Sequence, residues 1–485
     1  MAAYIGPTYR EFARLVARYP REELLRIIAA EAVREAHKRA ARGPISVPVT
    51  PVTLAGVARA ALAEGTDKRR RNRHVAGASQ LARLCSEYID VLDPALADGG
   101  STDVEAVLTR IAFEQFGEQY SPMENLSRAH SLFQDYAARN PAMPSAHQWE
   151  ELLGVDLDTF MRTGFALHVA VMQNGGAISR EVMKADHVKA IWEPLSPDDL
   201  FAIVDRLFSR TADEHRSLIR VGELPGREKW SFSSLTAYPL VSLGDDLVCP
   251  APHLLIDRVT STGLWYVAQA EWKSKFTGPL GTTFEGYVGD QWRFVRHAQV
   301  LPEISYQLEG SDAKSCDWFI ITDSVVLLVE VKCARPSLDY RAGGDEGWAD
   351  ARSRIRDAVV QLERSAQKII DRHPAFADIP HDRPLRGLIV TLEPYHLRQT
   401  LRDACLDSSV LPISHAWAHE LENAVARLQD DEEAGSKLLG ALSPENGLRG
   451  WLTKVHDDQK HPPRNSIVDA SWDAWARWPA IDELA

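Results

Sequence analysis

The sequence predicts a mixed α/β fold, in which a mainly α-helical N-terminal region precedes a domain with a mixed central sheet flanked by helices. From residue 8 to about residue 220, apolar side chains recur at three- and four-residue intervals, the spacing of amphipathic helices. Between residues 317 and 332, two runs of β-branched and aromatic residues flank a short polar turn, which is typical of paired strands. The chain of 485 residues is long enough for roughly two to four domains.

The N-terminal helical pattern is clearest at residues 22–33 and 104–116. Segments rich in Gly, Pro and Asp at residues 43–51 and 93–101 are expected to separate groups of helices. Ser196 and the proline after it predict the start of a further helix, because Ser caps helix N-termini and Pro is tolerated at the first helical position.

The pattern changes after residue 225, where residues 237–243 and 246–249 resemble strands. After residue 397 the sequence is again helical in character. His415 and His419 lie four residues apart on one of these expected helices. This spacing could support a metal site, but no third ligand is suitably placed, so structural histidines are the favoured interpretation.

The residues with the strongest chemical implications lie in the expected hairpin. Asp317, Glu330 and Lys332 are charged, although their neighbours in both strands are apolar. If Asp323 and Ser324 form a two-residue turn, Asp317 lies directly opposite Glu330, with Cβ atoms about 4.5 to 5.5 Å apart. Lys332 then shares a face with Glu330, because side chains alternate along a strand.

Two carboxylates this close repel each other unless one is protonated or a cation lies between them. A divalent cation is the simplest solution, and oxygen ligands of this kind suit Mg²⁺ or Mn²⁺. Lys332 could orient or deprotonate a water molecule, or neutralise charge on a phosphate. The alternative is structural: Glu330 and Lys332 could form an ion pair on an edge strand, and Asp317 could cap a strand.

Asp317, a gap of twelve residues and then Glu330-Val331-Lys332 resemble the motif of the PD-(D/E)XK nuclease superfamily. The resemblance implies a restriction-endonuclease-like core, with helix, three strands, helix and strand in that order. It also implies that Asp317 and Glu330 bind Mg²⁺ or Mn²⁺ and that, together with Lys332, they carry out catalysis.

Other segments are similar to further parts of this core. Residues 281–292 resemble the opening helix of the family, whose acidic residue, here Glu285, often joins the metal site. Residues 303–308 would form the first strand, residues 348–372 the helix after the motif, and residues 388–392 the next strand.

The match departs from the family at two places. Cys316 stands where the motif has Pro, a position that tolerates substitution. Gln361 resembles a catalytic glutamine that RecB-like members carry on the helix after the motif, but the tyrosine expected four residues later is Ser365. The subfamily therefore stays open.

The expected domain organisation has four parts. Residues 1–225 form the helical region, which would serve recognition, assembly or regulation, and residues 226–279 form a mixed connector. Residues 280–425 form the nuclease-like domain. Residues 426–485 form a helical tail with clustered tryptophans.

Charge and cysteine content limit the partners and the compartment. The net charge is −13, yet residues 1–90 contain 16 Lys and Arg against 9 Asp and Glu, so the remaining 395 residues carry −20. The densest basic cluster, at residues 68–74, is either a phosphate contact or a solvated loop. Five scattered cysteines without a paired motif favour reduced thiols and, with no apolar run long enough for a membrane helix, a cytoplasmic protein without a membrane partner.

The resemblance implies a metal-dependent nuclease that hydrolyses phosphodiester bonds in nucleic acid, with DNA as the expected substrate. A nuclease joined to a large helical region resembles bacterial anti-phage defence effectors, in which the helical region acts on a target, a partner protein or a second copy of the chain. The alternatives are a DNA repair or recombination nuclease and a non-catalytic nucleic-acid-binding protein with a decayed site. Strand preference, cleavage mode, trigger and oligomeric state are not encoded in any recognisable pattern.

Overall fold

The computed structural model describes most of the chain and divides it into two compact units. The described residues are 6–41, 48–67, 77–91, 104–115, 122–185, 195–308, 310–397, 399–407, 409–443 and 464–475. Unit 1 comprises Met1–Ala129, Ser145–Ala270 and Trp475–Ala485, and unit 2 comprises His130–Pro144 and Glu271–Ala474. The basic cluster at 68–74, the predicted break at 93–101 and most of the break at 43–51 lie outside the described residues.

Unit 1 is mainly helical, as the apolar spacing predicts. Its helices are α1 (Tyr9–Val16), α2 (Arg21–Ala40), α3 (Pro51–Glu64), α4 (Ala78–Ile89), α5 (Val104–Gln115), α6 (Pro122–His130), α7 (Ala146–Leu153), α8 (Leu157–Gln173), α9 (Arg180–Met183), α10 (Pro197–Leu207), α11 (Ala212–Val221), α12 (Ser234–Ala237), α13 (His253–Val259) and α14 (Ser261–Trp272), with a 3₁₀ turn at Glu228–Trp230. The predicted cap is present, since the Asp199 N–H donates to Ser196 Oγ at 3.2 Å. The apolar faces of α1 to α4 form a common core that includes Phe12, Leu25 and Val57.

A four-stranded sheet completes unit 1. Its strands are β1 (Ala177–Ser179), β2 (Ser209–Thr211), β3 (Leu240–Leu243) and β4 (Asp246–Val248), in the order β1-β4-β3-β2. Strands β3 and β4 were expected, although the first of them begins at Leu240 rather than at residue 237. Because β4 pairs with β1 and β3 pairs with β2, the segment from residue 226 to 270 is part of unit 1 rather than a separate connector.

Unit 2 contains two long helices that were expected from the sequence. Helix α15 (Ser274–Arg293) covers predicted residues 281–292. The other helices are α16 (Leu338–Arg341), α17 (Asp345–Ile370), α18 (Gln399–Arg402), α19 (Ala418–Leu428), α20 (Ala434–Ala441) and α21 (Ser466–Trp475), with π turns at Ser131–Tyr136 and Asp403–Asp407 and 3₁₀ turns at Ala137–Arg139 and Pro374–Phe376. Helix α17 corresponds to the helix predicted at 348–372.

The strands of unit 2 form a five-stranded mixed sheet and a separate hairpin. They are β5 (Gln299–Pro302), β6 (Ser305–Leu308), β7 (Ser311–Lys314), β8 (Trp318–Ile321), β9 (Val326–Lys332), β10 (Leu385–Thr391) and β11 (Ile413–Trp417). The main sheet has the order β11-β10-β9-β8-β5, while β6 and β7 pair only with each other. Strands β9, β10 and β11 are parallel, and β8 is antiparallel to both β9 and β5.

The register of the β8–β9 hairpin is the one predicted. Trp318 lies opposite Val329 and Ile321 lies opposite Val326. The Thr322 N–H donates to the Val325 carbonyl at 3.0 Å and closes the two-residue turn. Residues Val326 to Val331 are buried, so both faces of β9 are covered, as is usual for an inner strand of a parallel sheet. Helices α15 and α17 both pack against this strand.

Two expectations for this region were wrong. The first strand of the main sheet is β5, not residues 303–308, because residues 305–308 instead form β6 of the small hairpin. His415 and His419 do not share a helix, since His415 lies on β11 and His419 lies in the first turn of α19. No helix in the described part of the chain is both long and apolar enough to cross a membrane.

Candidate active site

Strand β9 ends in two charged residues on one face of the sheet. Glu330 is 4% exposed, and the Lys332 ammonium donates to its Oε1 at 2.7 Å. The second carboxylate oxygen, Oε2, is also buried but accepts no hydrogen bond from any described residue. A buried carboxylate oxygen without a donor is energetically costly, so this atom is the one in the site most in need of a ligand.

Asp317 lies at the end of the same hairpin. Strand β8 begins one residue later, at Trp318, so β9 beyond Val329 has no main-chain partner on that side. The Asp317 carboxylate supplies the missing acceptor, since the Val331 N–H donates to its Oδ2 at 2.7 Å. The hairpin register therefore brings Asp317 and Glu330 to the same end of the ladder, as predicted.

The electrostatics of the two acids reflect their burial and their proximity. Burial, followed by the charge of Glu330, holds the pKa of Asp317 well above its usual range, although the hydrogen bond from Val331 acts in the opposite direction. Burial also raises the pKa of Glu330, despite the nearby Lys332 ammonium. The protein alone therefore does not supply enough positive charge and hydrogen-bond donors to stabilise both carboxylates in their ionised form.

Lys332 is held in its charged form. Burial alone would lower its pKa, but the Glu330 carboxylate, with smaller contributions from Asp317 and Glu285, raises the pKa above the usual value. Its side chain is 30% exposed, so the ammonium lies at the edge of the site. Because a lysine that stays protonated cannot accept a proton, this arrangement favours an electrostatic role for Lys332 over abstraction of a proton from water.

Helix α15 brings Glu285 into the electrostatic field of these residues. The Trp318 indole N–H donates to the Glu285 carbonyl at 3.0 Å. The helix approaches this closely because residue 289 is Gly: a Cβ there would lie 2.2 Å from Trp318 Cζ2. Burial and the charge of Glu303 raise the pKa of Glu285, and Lys332 lowers it. Glu285 therefore lies within electrostatic range of Asp317 and Glu330.

Two charged residues of this cluster were not anticipated. The Lys314 ammonium lies 2.8 Å from Glu303 Oε1, and both residues act electrostatically on Glu285. The sequence predicts residue 303 only as the start of a strand, and Lys314 follows no pattern. Their positions depend on the β6–β7 hairpin returning to the site, which periodicity does not reveal.

The Gln361 side chain contacts the main chain of the two residues that come just before the Cys316–Asp317 motif positions. Its side-chain amide donates to the carbonyls of Lys314 and Ser315, at 3.1 and 2.7 Å. His415 lies two strands across the sheet from Glu330, since both residues are in register with Ile389. Its Nε2 and Thr391 Oγ1 are 3.1 Å apart, and burial lowers its pKa to about 4.

The donor set is compatible with a hard divalent cation. Within the described ranges, no group of three or more Asp, Glu, His or Cys side chains converges as a ready-made metal site. Mg²⁺ and Mn²⁺ require fewer protein ligands than that, because they keep several waters and bind through one or two carboxylates. The donor-free Oε2 of Glu330 and the Asp317 carboxylate, which interact electrostatically at the same end of the hairpin, could supply these ligands.

No protein-family model matches this chain, and a search of curated proteins finds no match either. The resemblance to PD-(D/E)XK nucleases therefore depends on the motif and its surroundings.

Proposed function

We propose that this protein is a metal-dependent nuclease that hydrolyses phosphodiester bonds in DNA and uses Mg²⁺ or Mn²⁺. The observation that carries the proposal is the buried Glu330 carboxylate, with one oxygen bound by Lys332 and the other without a donor. Asp317 adds a second carboxylate at the same end of the hairpin. A purely structural ion pair between Lys332 and Glu330 would not explain why a second acid, Asp317, is placed at the same end of the hairpin, where burial disfavours the charge of both acids.

In this proposal Glu330 Oε2 and the Asp317 carboxylate hold the cation, and Glu285 is available as a further acid on α15. When bound, the cation would polarise a phosphate oxygen and increase the acidity of a bound water. The Lys332 ammonium would stabilise the negative charge that develops on the phosphate, since it stays protonated beside Glu330.

The order of elements in unit 2 supports the same proposal. Helix α15, strands β5, β8 and β9, helix α17 and strand β10 occur in this order along the chain, with the β6–β7 hairpin inserted after β5 and the short helix α16 inserted after β9. This is the order that the PD-(D/E)XK resemblance implies. All five cysteines are free thiols, which agrees with a cytoplasmic location. The roles of unit 1 and of defence partners stay predictions.

Cleavage is expected to require a divalent cation. Purified full-length protein would be incubated with supercoiled plasmid, linear duplex DNA, single-stranded DNA and RNA, each with Mg²⁺, Mn²⁺ or excess chelator. We expect DNA cleavage with either ion and none in chelator, because the two acids cannot otherwise organise a phosphate. Cleavage that persists undiminished in chelator would rule out this mechanism, and cleavage of RNA alone would correct the substrate.

A further inference from the structure

The segment that leads into Asp317 is held mainly by side chains. It comprises residues 314–316, between the end of β7 and the start of β8. Ser315 bonds to Ile304 twice: its N–H donates to the Ile304 carbonyl at 2.9 Å, and its Oγ accepts from the Ile304 N–H at 2.8 Å. Ser315 Oγ also donates to the Cys316 carbonyl at 2.8 Å.

Helix α17 fixes the same segment from the other side. Gln361 and Ser365 lie four residues apart and so share a face of this helix. Gln361 binds the carbonyls of residues 314 and 315, while the Cys316 N–H donates to Ser365 Oγ at 2.8 Å. Ser365 Oγ in turn donates to the main-chain carbonyl of Gln361 at 2.9 Å, so the helix fixes this hydroxyl while it accepts from the Cys316 N–H.

The serine and cysteine part of this network is buried, and the Gln361 side chain is partly buried. Ser315, Cys316 and Ser365 are each fully buried. In such surroundings, removal of one partner leaves a polar group unsatisfied, so the main chain shifts to recover a hydrogen bond. The next residue is Asp317, whose carboxylate is bound at its far end by the Val331 N–H. A shift of the segment therefore moves one of the two acids relative to the other.

We propose that Gln361 and Ser365 are positioning residues, which hold the Asp317 carboxylate at the distance from Glu330 that a divalent cation requires. This inference depends on the proposed nuclease function and extends it to two residues that do not touch the reacting atoms. It assigns Gln361 a task different from the catalytic one that the sequence resemblance implies.

The test is the response of the folded protein to Mn²⁺. A ligand that binds only the native state raises the melting temperature by an amount that grows with the logarithm of the ligand concentration divided by Kd. Full-length wild type, Ser365→Ala and Gln361→Ala would be melted over a range of Mn²⁺ concentrations. We expect both variants to need at least about tenfold more Mn²⁺ than the wild type to reach the same increase in melting temperature, since loss of supporting contacts commonly weakens metal affinity 10- to 100-fold. Cleavage should recover at high Mn²⁺.

Ser471→Ala serves as the matched control, because Ser471 is also a buried serine of unit 2 with a side-chain partner, His130. It should lower the melting temperature without changing the Mn²⁺ dependence. If Ser365→Ala does not fold, Gln361→Ala decides, since its side chain is only partly buried. Wild-type Mn²⁺ dependence in both Ser365→Ala and Gln361→Ala would overturn the inference. A wild type that does not respond to Mn²⁺ at all would overturn the proposed function itself, and the inference with it.

Discussion

Glu330→Gln is expected to abolish cleavage while the protein remains folded. The amide has almost the shape of the carboxylate but carries no charge, so the donor-free Oε2 position can no longer attract a cation. We expect a loss of at least about 10³-fold in kcat, the upper end of what removal of one electrostatic group costs. Plasmid cleavage measured over a range of Mg²⁺ concentrations would establish the loss.

The same variant should melt no lower than the wild type when no divalent ion is present. The described part of the site holds four carboxylates (Glu285, Glu303, Asp317 and Glu330) against the ammonium groups of Lys314 and Lys332, so removal of one negative charge reduces repulsion. Glu420→Gln is the control, because Glu420 is a partly buried acid of unit 2 whose carboxylate accepts from the Trp417 N–H. An unfolded Glu330→Gln would instead show that the pair with Lys332 is structural.

Lys332→Ala and Lys332→Arg are expected to fail for different reasons. Alanine removes the ammonium that stabilises the developing charge, so kcat should fall by roughly 10² to 10³-fold at every metal concentration. Arginine keeps the charge, but its planar fork binds carboxylates through both oxygens. It would therefore occupy Glu330 Oε2 as well as Oε1, and compete with the cation.

The two variants are separated by titration with Mg²⁺ or Mn²⁺. Lys332→Arg should regain most of its activity at high ion concentration, whereas Lys332→Ala should not. If the arginine variant stays inactive at saturating ion, a purely electrostatic role is wrong. Catalysis would then require proton transfer by Lys332 or the exact length of its side chain. Normal cleavage by Lys332→Ala would remove the motif assignment altogether.

The β8–β9 hairpin could be predicted because its information is local. A two-residue turn and a change from polar to apolar residues set the register, and the register alone brings Asp317 and Glu330 to the same end of the hairpin, one residue beyond the Trp318–Val329 pair. The two long helices were recoverable for the same reason, since their apolar positions repeat over many turns.

Alternation shows that a strand exists but does not show its partner. Residues 305–308 do alternate, yet they pair with the adjacent β7 instead of joining the main sheet. The true first strand, β5, has only four residues and ends in Pro302, so its pattern is too short to detect. Lys314 and the Gln361–Ser365 contacts could not be predicted, because they depend on how the β6–β7 hairpin and α17 return to the motif.

The hydrogen bond from Val331 to Asp317 makes one main-chain amide sensitive to side-chain chemistry. Most amides of a central strand are protected from hydrogen exchange by a neighbouring strand, but that of Val331 is protected by a carboxylate. Its exchange rate and its chemical shift therefore depend on where the Asp317 carboxylate points and whether it is protonated. This single amide can report events in the site in the absence of any substrate, and can do so in variants that no longer cleave DNA.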